Sequence, residues 1–244
     1  QTAVDMPKTS KIFFLKYSRQ IGQGNYMLWI TNHPSTGLFN FGGAYVVYGE
    51  ANQSFYQTWN DKDIRKSLWN KVNIGLGANT LLSSKFIDKA AVGQNGAGND
   101  DPVYSYADAL LIFAEAAAKA ANGPIPAAIE AVNQVRRRAY GLTPTVASVD
   151  DYIAADYTTA TFEDLVLRER AYEFHYLGKR WMDLKRTGKV KEVIQKVKSK
   201  QLQRLAFTLL CVAKFNNMVN EKNHNWVNRE TKETSEGTFF TYTI

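Results

Sequence analysis

Two glutamates are the residues of this chain best placed to do chemistry. Glu169 and Glu173 lie four apart within TFEDLVLRERAYEFHYLGKRWMDLKRTG, residues 161–188. Laid out at 100° per residue, Phe162, Leu165, Val166, Tyr172, Tyr176 and Leu177 form one broad apolar stripe, which predicts a helix packed on a core. The two carboxylates fall in the middle of that stripe. Paired carboxylates are the acid and base of glycoside hydrolysis, but that reaction flanks its bond from opposite sides. Residues four apart on one helix point the same way, with Cβ atoms about 6 Å apart. Burial gives the alternative: a carboxylate on an apolar face is too costly to leave alone, so each needs a cationic partner. Arg180 and Arg186 beyond Gly178, and Arg136, Arg137 and Arg138 on an earlier helix, can supply it. In this reading Glu169, Glu173, Arg180, Asp183, Arg186 and Arg136 form a structural ion network.

Other chemistries lack their parts. No G-x-S-x-G turn occurs, and no Ser, His and Asp stand in a recognisable hydrolase context. The sole cysteine, Cys211, excludes an internal disulfide and a Cys-rich zinc site. His33, His175 and His224 are scattered without ligand spacing, so no metal and no cofactor is assigned. The net charge is +7, yet residues 189–244 hold ten Lys or Arg against five Asp or Glu, so most of the surplus sits in a terminal segment. A nucleic-acid surface would place it on the folded body among aromatics, and nucleic acid is not expected as a partner. No run of eighteen apolar residues is present, so nothing here spans a membrane as a helix.

Flanking helices must position the two glutamates. From Val103 to Ala121 the polar residues Ser105, Asp108, Glu115 and Lys119 share one side of the wheel, and the rest is apolar or small, which predicts a helix buried on most of its surface. Asn122-Gly123-Pro124 ends it, and Pro124 or Pro126 starts a second helix with Ile129, Val132 and Val135 inward and Gly141 as its cap. Ala114, Ala117, Ala128 and Ala131 let the two approach closely, as in one tetratricopeptide unit. The 161–188 stretch, broken at Gly178, supplies a second pair. Ahead of the helices, IFFLKY and AYVVYG read as short strands and NHPSTG as a turn. Asn60 or Asp61 can cap a short helix over NDKDIRKSLW. GQNGAGNDD, residues 93–101, lacks the pattern of a phosphate or calcium loop and reads as a mobile surface loop.

Three stretches in order carry a resemblance. RERAYEFHYLGKRWMDLKRTG resembles the ERR-x-E-(F/L)-x-x-E-G-x-R-(W/F)-x-D-L-x-R-x-G signature of the SusD/RagB family of nutrient-binding outer-membrane lipoproteins. YADALLIFAEAAAKA (106–120) and AIEAVNQVRRRAYG (128–141) are similar to that family's RYA-E/D-x-LL-x-YAEA and AI-x-x-(I/L)-N-x-VR-x-RAG segments. Ser105, Ala171 and Leu177 depart from it, where Arg, Arg and Glu are common. Asp63 and Arg65 resemble a D-x-R element placed ahead of a returning strand, here expected to be a local ion pair. The resemblance implies a mostly α fold of SusD-like, tetratricopeptide-like helical pairs with an irregular, aromatic-rich segment carrying short strands. It also implies non-catalytic capture of glycans at the cell surface and delivery to a SusC-like TonB-dependent transporter. Membrane attachment would run only through an N-terminal lipid anchor absent from these residues, and the chain reads as the C-terminal portion. Two alternatives stand beside it: a helical-repeat scaffold binding protein partners, and a glycoside hydrolase using the two glutamates.

If glycan is the ligand, aromatic faces are the natural contacts. Residues 12–59 are dense in aromatics, and most are expected in the core. Tyr26, Trp29, Tyr45, Tyr48 and Trp59, beside Gly, Asn, Thr and Glu in loops, are expected at the surface. Trp29, with Asn32 and Thr31 as hydrogen-bond partners, leads as a ligand contact, and Trp59 is second. Trp181, among motif residues, is expected to be buried. After VKSK the sequence departs from the family's closing P-I-P and N-P-G-Y segments, which reads as a shifted frame or divergent tail. The expected organisation is 1–101 aromatic-rich and irregular, 102–200 helical pairs, and 201–244 divergent tail.

Overall fold

A computed structural model describes residues 10–37, 54–91, 93 and 96–196, within two compact units, Gln1–Asp183 and Leu184–Ile244. Tyr45, Tyr48, the strand expected at 44–49 and the tail at 201–244 lie outside the described residues. In chain order the elements are β1 (Lys11–Leu15), α1 (Met27–Thr31), α2 (Ser54–Gln57), β2 (Trp69–Val72), β3 (Thr80–Ser83) and β4 (Asp101–Ser105). The helical part follows as α3 (Tyr106–Ala120), α4 (Pro126–Ala139), α5 (Thr159–Glu173) and α6 (Lys179–Arg186). The described chain is thus mostly helical with a few short strands. In the second unit, residues 190–196 are helical.

The helical core forms where the alanines sit. Leu111, Ala114 and Ala118 of α3 pack with Ala128, Ile129, Val132 and Val135 of α4 and with Phe162, Leu165 and Val166 of α5. Small side chains at these positions let the axes approach, and the larger ones fill the remaining space. α3 starts later than its apolar pattern suggests. Asp101–Ser105 pairs antiparallel with β1, and Ser105 then caps the helix. Its hydroxyl accepts from the Asp108 amide while Asp108 accepts from the Ser105 amide, a reciprocal capping box. α5 is capped in the same way by Thr158 and Thr161. It ends at Glu173, earlier than its stripe runs, because the chain turns through Tyr176 at φ +62° and Gly178 at φ +70°. A left-handed tyrosine is disfavoured. Contact of its ring with Trp69 and His175 holds it there.

Neither Asn60 nor Asp61 caps the next helix: Asp63 does, accepting from the Arg65 amide at the start of a 3-10 turn over Ile64–Leu68. The 93–101 stretch is anchored where described. The Asn25 amide donates to the Ala97 carbonyl at 2.7 Å, and Ala97 packs in a small cluster with Leu28 and Ile87. Asp100 meanwhile takes Lys11 at 2.8 Å.

Candidate functional site

The two glutamates meet on one arginine, and it is none of those expected. The 3-10 turn aims Arg65 at α5. Its Nη2 reaches Glu169 Oε1 at 2.7 Å and its Nη1 reaches Glu173 Oε2 at 2.8 Å. Its Nε and Nη2 are bonded to Asp63 at 2.9 and 2.7 Å. A planar guanidinium with five donors suits three carboxylates better than a flexible ammonium could. Arg138 of α4 closes on the second oxygen of Glu173. The Asp63 to Arg65 pair expected as local is therefore the foot of a knot joining the 3-10 turn, α4 and α5.

The other expected members work elsewhere. Arg136 lies over the rings of Tyr140 and Tyr152, at 4.5 and 4.1 Å, and donates to the Asp150 carbonyl. Arg137 is held by Glu130 and Asp151. Arg180 donates to the Leu167 carbonyl, and Asp183 takes Arg170 at 2.8 Å. Arg186 is exposed in the last turn of α6. Lys85, just past β3, was not anticipated: its buried ammonium donates to the Glu173 and His175 carbonyls at 3.2 and 2.9 Å, closing the C-terminal end of α5.

Protonation follows from this packing. Burial pushes the Glu173 carboxyl up, but Arg138 and Arg65 outweigh it and hold the group down at about 2. Burial likewise opposes the charge on Arg65, and Glu169, Asp63 and Glu173 together overcome it, keeping Arg65 above its ordinary value. Lys85 goes the other way. Burial brings it down to about 8, with Glu173 opposing and Arg65, Lys179 and Arg138 reinforcing the shift. Burial and then Lys85 push His175 well below the usual histidine range. A general acid in glycoside hydrolysis needs a raised carboxyl pKa. Glu173 has a depressed one, with both oxygens engaged by guanidinium groups.

The aromatic candidates separate into two groups. Trp59 is 3% exposed, which corrects its expected place at the surface. It packs against Tyr172 at 4.7 Å and edge-on to Trp69 and His175, beneath the end of α5. Around α1 the ring of Tyr26 is half exposed and Trp29 is partly buried. Asn32 and Thr31, expected to serve a sugar, are buried and serve the chain. Asn32 Oδ1 accepts from the His33 amide and the Thr36 hydroxyl, and the Thr31 hydroxyl donates to the Met27 carbonyl. Trp181 is 42% exposed, against the expectation of burial.

A family model described as SusD family matches residues 32–241. A SusD-like protein of Formosa agariphila is 31% identical over 155 residues, covering 61% of this chain and 25% of that protein. A SusD superfamily protein from Parabacteroides distasonis superposes with a TM-score of 0.54 at 22% identity, over 75% of this chain and 40% of its own. Surface glycan-binding protein A from Bacteroides thetaiotaomicron gives the same TM-score at 19% identity, over 74% of this chain and 43% of its own. These structural likenesses establish the fold. The chain spans a quarter of the curated relative and about two fifths of these two solved structures.

Proposed function

The chain belongs to the SusD family, and we propose that it is the part of a non-catalytic surface protein that captures glycans and passes them to a TonB-dependent transporter of the SusC type. The observation that carries the non-catalytic reading is the sealed pair Glu169 and Glu173, both bonded to Arg65 and one held ionised far below the range of a proton donor. Capture then falls to neutral surfaces. A structural neighbour, by its own name, is a surface glycan-binding protein, and this supports glycan as the ligand class here. In this proposal the protein sits on the outer-membrane surface, tethered by a lipid anchor outside these residues.

Within the described residues, Tyr26 is proposed as the first contact, with Trp29 beside it on α1. A phenol ring offers a flat apolar face to a sugar and a polar tip to its hydroxyls, and it orders few rotors on binding. Tyr45 and Tyr48 remain candidates from the same segment. Trp59 is withdrawn, because its ring faces are already covered. The test is a glycan array probed with the full-length protein, followed by Tyr26→Ala against each glycan bound. Binding that is lost in the variant while the melting temperature holds supports the assignment. Normal binding by the variant places capture elsewhere, and an array without any binding removes the glycan reading.

The burial of Trp59 favours one competing reading, a helical-repeat scaffold for protein partners. It predicts an empty glycan array together with a saturable protein partner.

A further inference from the structure

Arg19 is an exposed arginine gripped from behind. Its Nε and Nη2 donate to the two oxygens of Asp88 at 2.9 and 2.8 Å, and that carboxylate is buried. Asp88 is fixed in turn, accepting from the Gly98 and Ala90 amides at 2.9 and 3.1 Å. The arginine side chain remains 47% exposed, and its Nη1 has no partner among the described residues. A planar guanidinium held along one edge presents its other edge to solvent in a set plane. Asp88 balances the charge, so the pair is neutral as a unit. What it offers outward is directed N–H donors rather than a field.

The same short stretch, residues 97–99, carries both Arg19 and Tyr26. A Cβ at Gly98 would come within 3.3 Å of Arg19 Cγ, so the arginine stem lies across that glycine. Ala97 next to it bridges antiparallel to Asn25, the residue before Tyr26. Asn25 also donates from Nδ2 to the Asn99 carbonyl at 3.0 Å and accepts at Oδ1 from the Met27 amide at 2.7 Å. The chain is thereby pinned on both sides of Tyr26. A turn closed by the Ser18 amide on the Gln23 carbonyl, at 2.9 Å, brings Arg19 back toward Asn25.

We infer that Arg19 is a second sugar contact beside Tyr26, its free edge donating to two adjacent hydroxyls of a neutral pyranose while Tyr26 covers the apolar face of that sugar or of the next one. Neighbouring ring hydroxyls present two acceptors side by side, which suits the parallel N–H groups of a guanidinium. Asp88 already takes the attraction that an anionic sugar would need. The ligand class is therefore a neutral glycan with a free pair of adjacent hydroxyls. This inference rests on the capture reading of Tyr26 and adds a specificity to it.

The test uses the full-length protein on an array of neutral, carboxylated and sulfated glycans, with titration of each glycan bound. Arg19→Met removes the donors. Arg19→Lys keeps a cation for Asp88 but loses the fork, and it serves should Arg19→Met fail to fold. Each variant is expected to bind about fivefold more weakly at an unchanged melting temperature. Wild-type affinity is expected to hold within about twofold as salt rises to about 0.5 M. Normal binding by the Arg19 variants overturns the inference, and if Tyr26→Ala still loses binding the capture reading stands without it. Weak binding by the Arg19 variants with normal binding by Tyr26→Ala keeps Arg19 and removes Tyr26. Binding confined to carboxylated or sulfated glycans, or lost steeply with salt, overturns the inference by making Arg19 a charge site. So does a loss that follows a fall in melting temperature in both variants, which assigns Arg19 to the fold alone. An array without any binding overturns it together with the capture reading.

Discussion

The knot around Arg65 and the segment around α1 divide the tasks that the amino-acid types alone would have assigned the other way. The charged groups, which suggest chemistry, are buried, mutually bonded and fixed between three elements. The surface at the start of α1 is led by a neutral ring, Tyr26, the residue that precedes the helix. Charge buried in a fold is expensive, and once paired it is hard to release. An exposed tyrosine has no such debt and remains open to a partner. The difference teaches that the carboxylate pair holds the helices in register while ligand contact falls to uncharged surface.

The sharpest way to break this comparison is Arg65→Met. It leaves Asp63, Glu169 and Glu173 without their shared cation, and removing one partner from a buried ion pair costs about 3–5 kcal/mol. Thermal unfolding should show a large drop in melting temperature or an insoluble product. A soluble variant with an unchanged midpoint would mean that the knot carries no stability. Trp59→Ala comes next, since truncating a buried tryptophan costs about 3–5 kcal/mol through lost contacts and cavity. Chemical denaturation should show that loss. A near-neutral result would return Trp59 to the list of exposed ligand contacts.

Lys85 sharpens the comparison through pH. In the unfolded chain its proton leaves near the ordinary 10.5, while in the folded protein it leaves at about 8. Between those values the unfolded state binds more protons, so stability rises with pH across that window. Urea midpoints from pH 8 to 10.5 should climb, and Lys85→Met should remove Lys85's share of the slope. A slope that is the same in both proteins would show that Lys85 is not desolvated as described. The smallest effect belongs to Tyr26→Ala, an exposed position at which the unfolding free energy should change by no more than about 0.5 kcal/mol. A large loss would show that the ring packs into the fold.

Much of this architecture is legible from spacing. The alanine-lined α3 and α4 and the break at Gly178 follow from period and turn chemistry. So does the need of Glu169 and Glu173 for cations. Arg138, among the arginines expected to supply them, does hold Glu173, but the shared cation does not follow, because Arg65 lies more than a hundred residues upstream and helical periodicity carries no information about such distant contacts. Trp59 fails for the same reason. Its surroundings in sequence are polar, but Tyr172 and His175 arrive from the far end of α5 to cover it. Trp181 fails on geometry that was available. Asp183 is buried, and residues two apart on a helix stand 200° apart, so Trp181 faces the other way.

The central claim is that the glutamates are architecture, and the ionisation of Glu173 tests it most directly. The sign is clear: its folded value of about 2 lies below the ordinary 4.5, so it stabilises the protein above that range and the contribution is lost as pH falls toward 2. The shift corresponds to about 3 kcal/mol. Carbon-detected NMR of the Glu173 side-chain carboxyl, followed through acid in the folded protein, measures it. The account predicts a carboxylate that stays ionised well below pH 4, and a carboxyl titrating at or above 4.5 would contradict it.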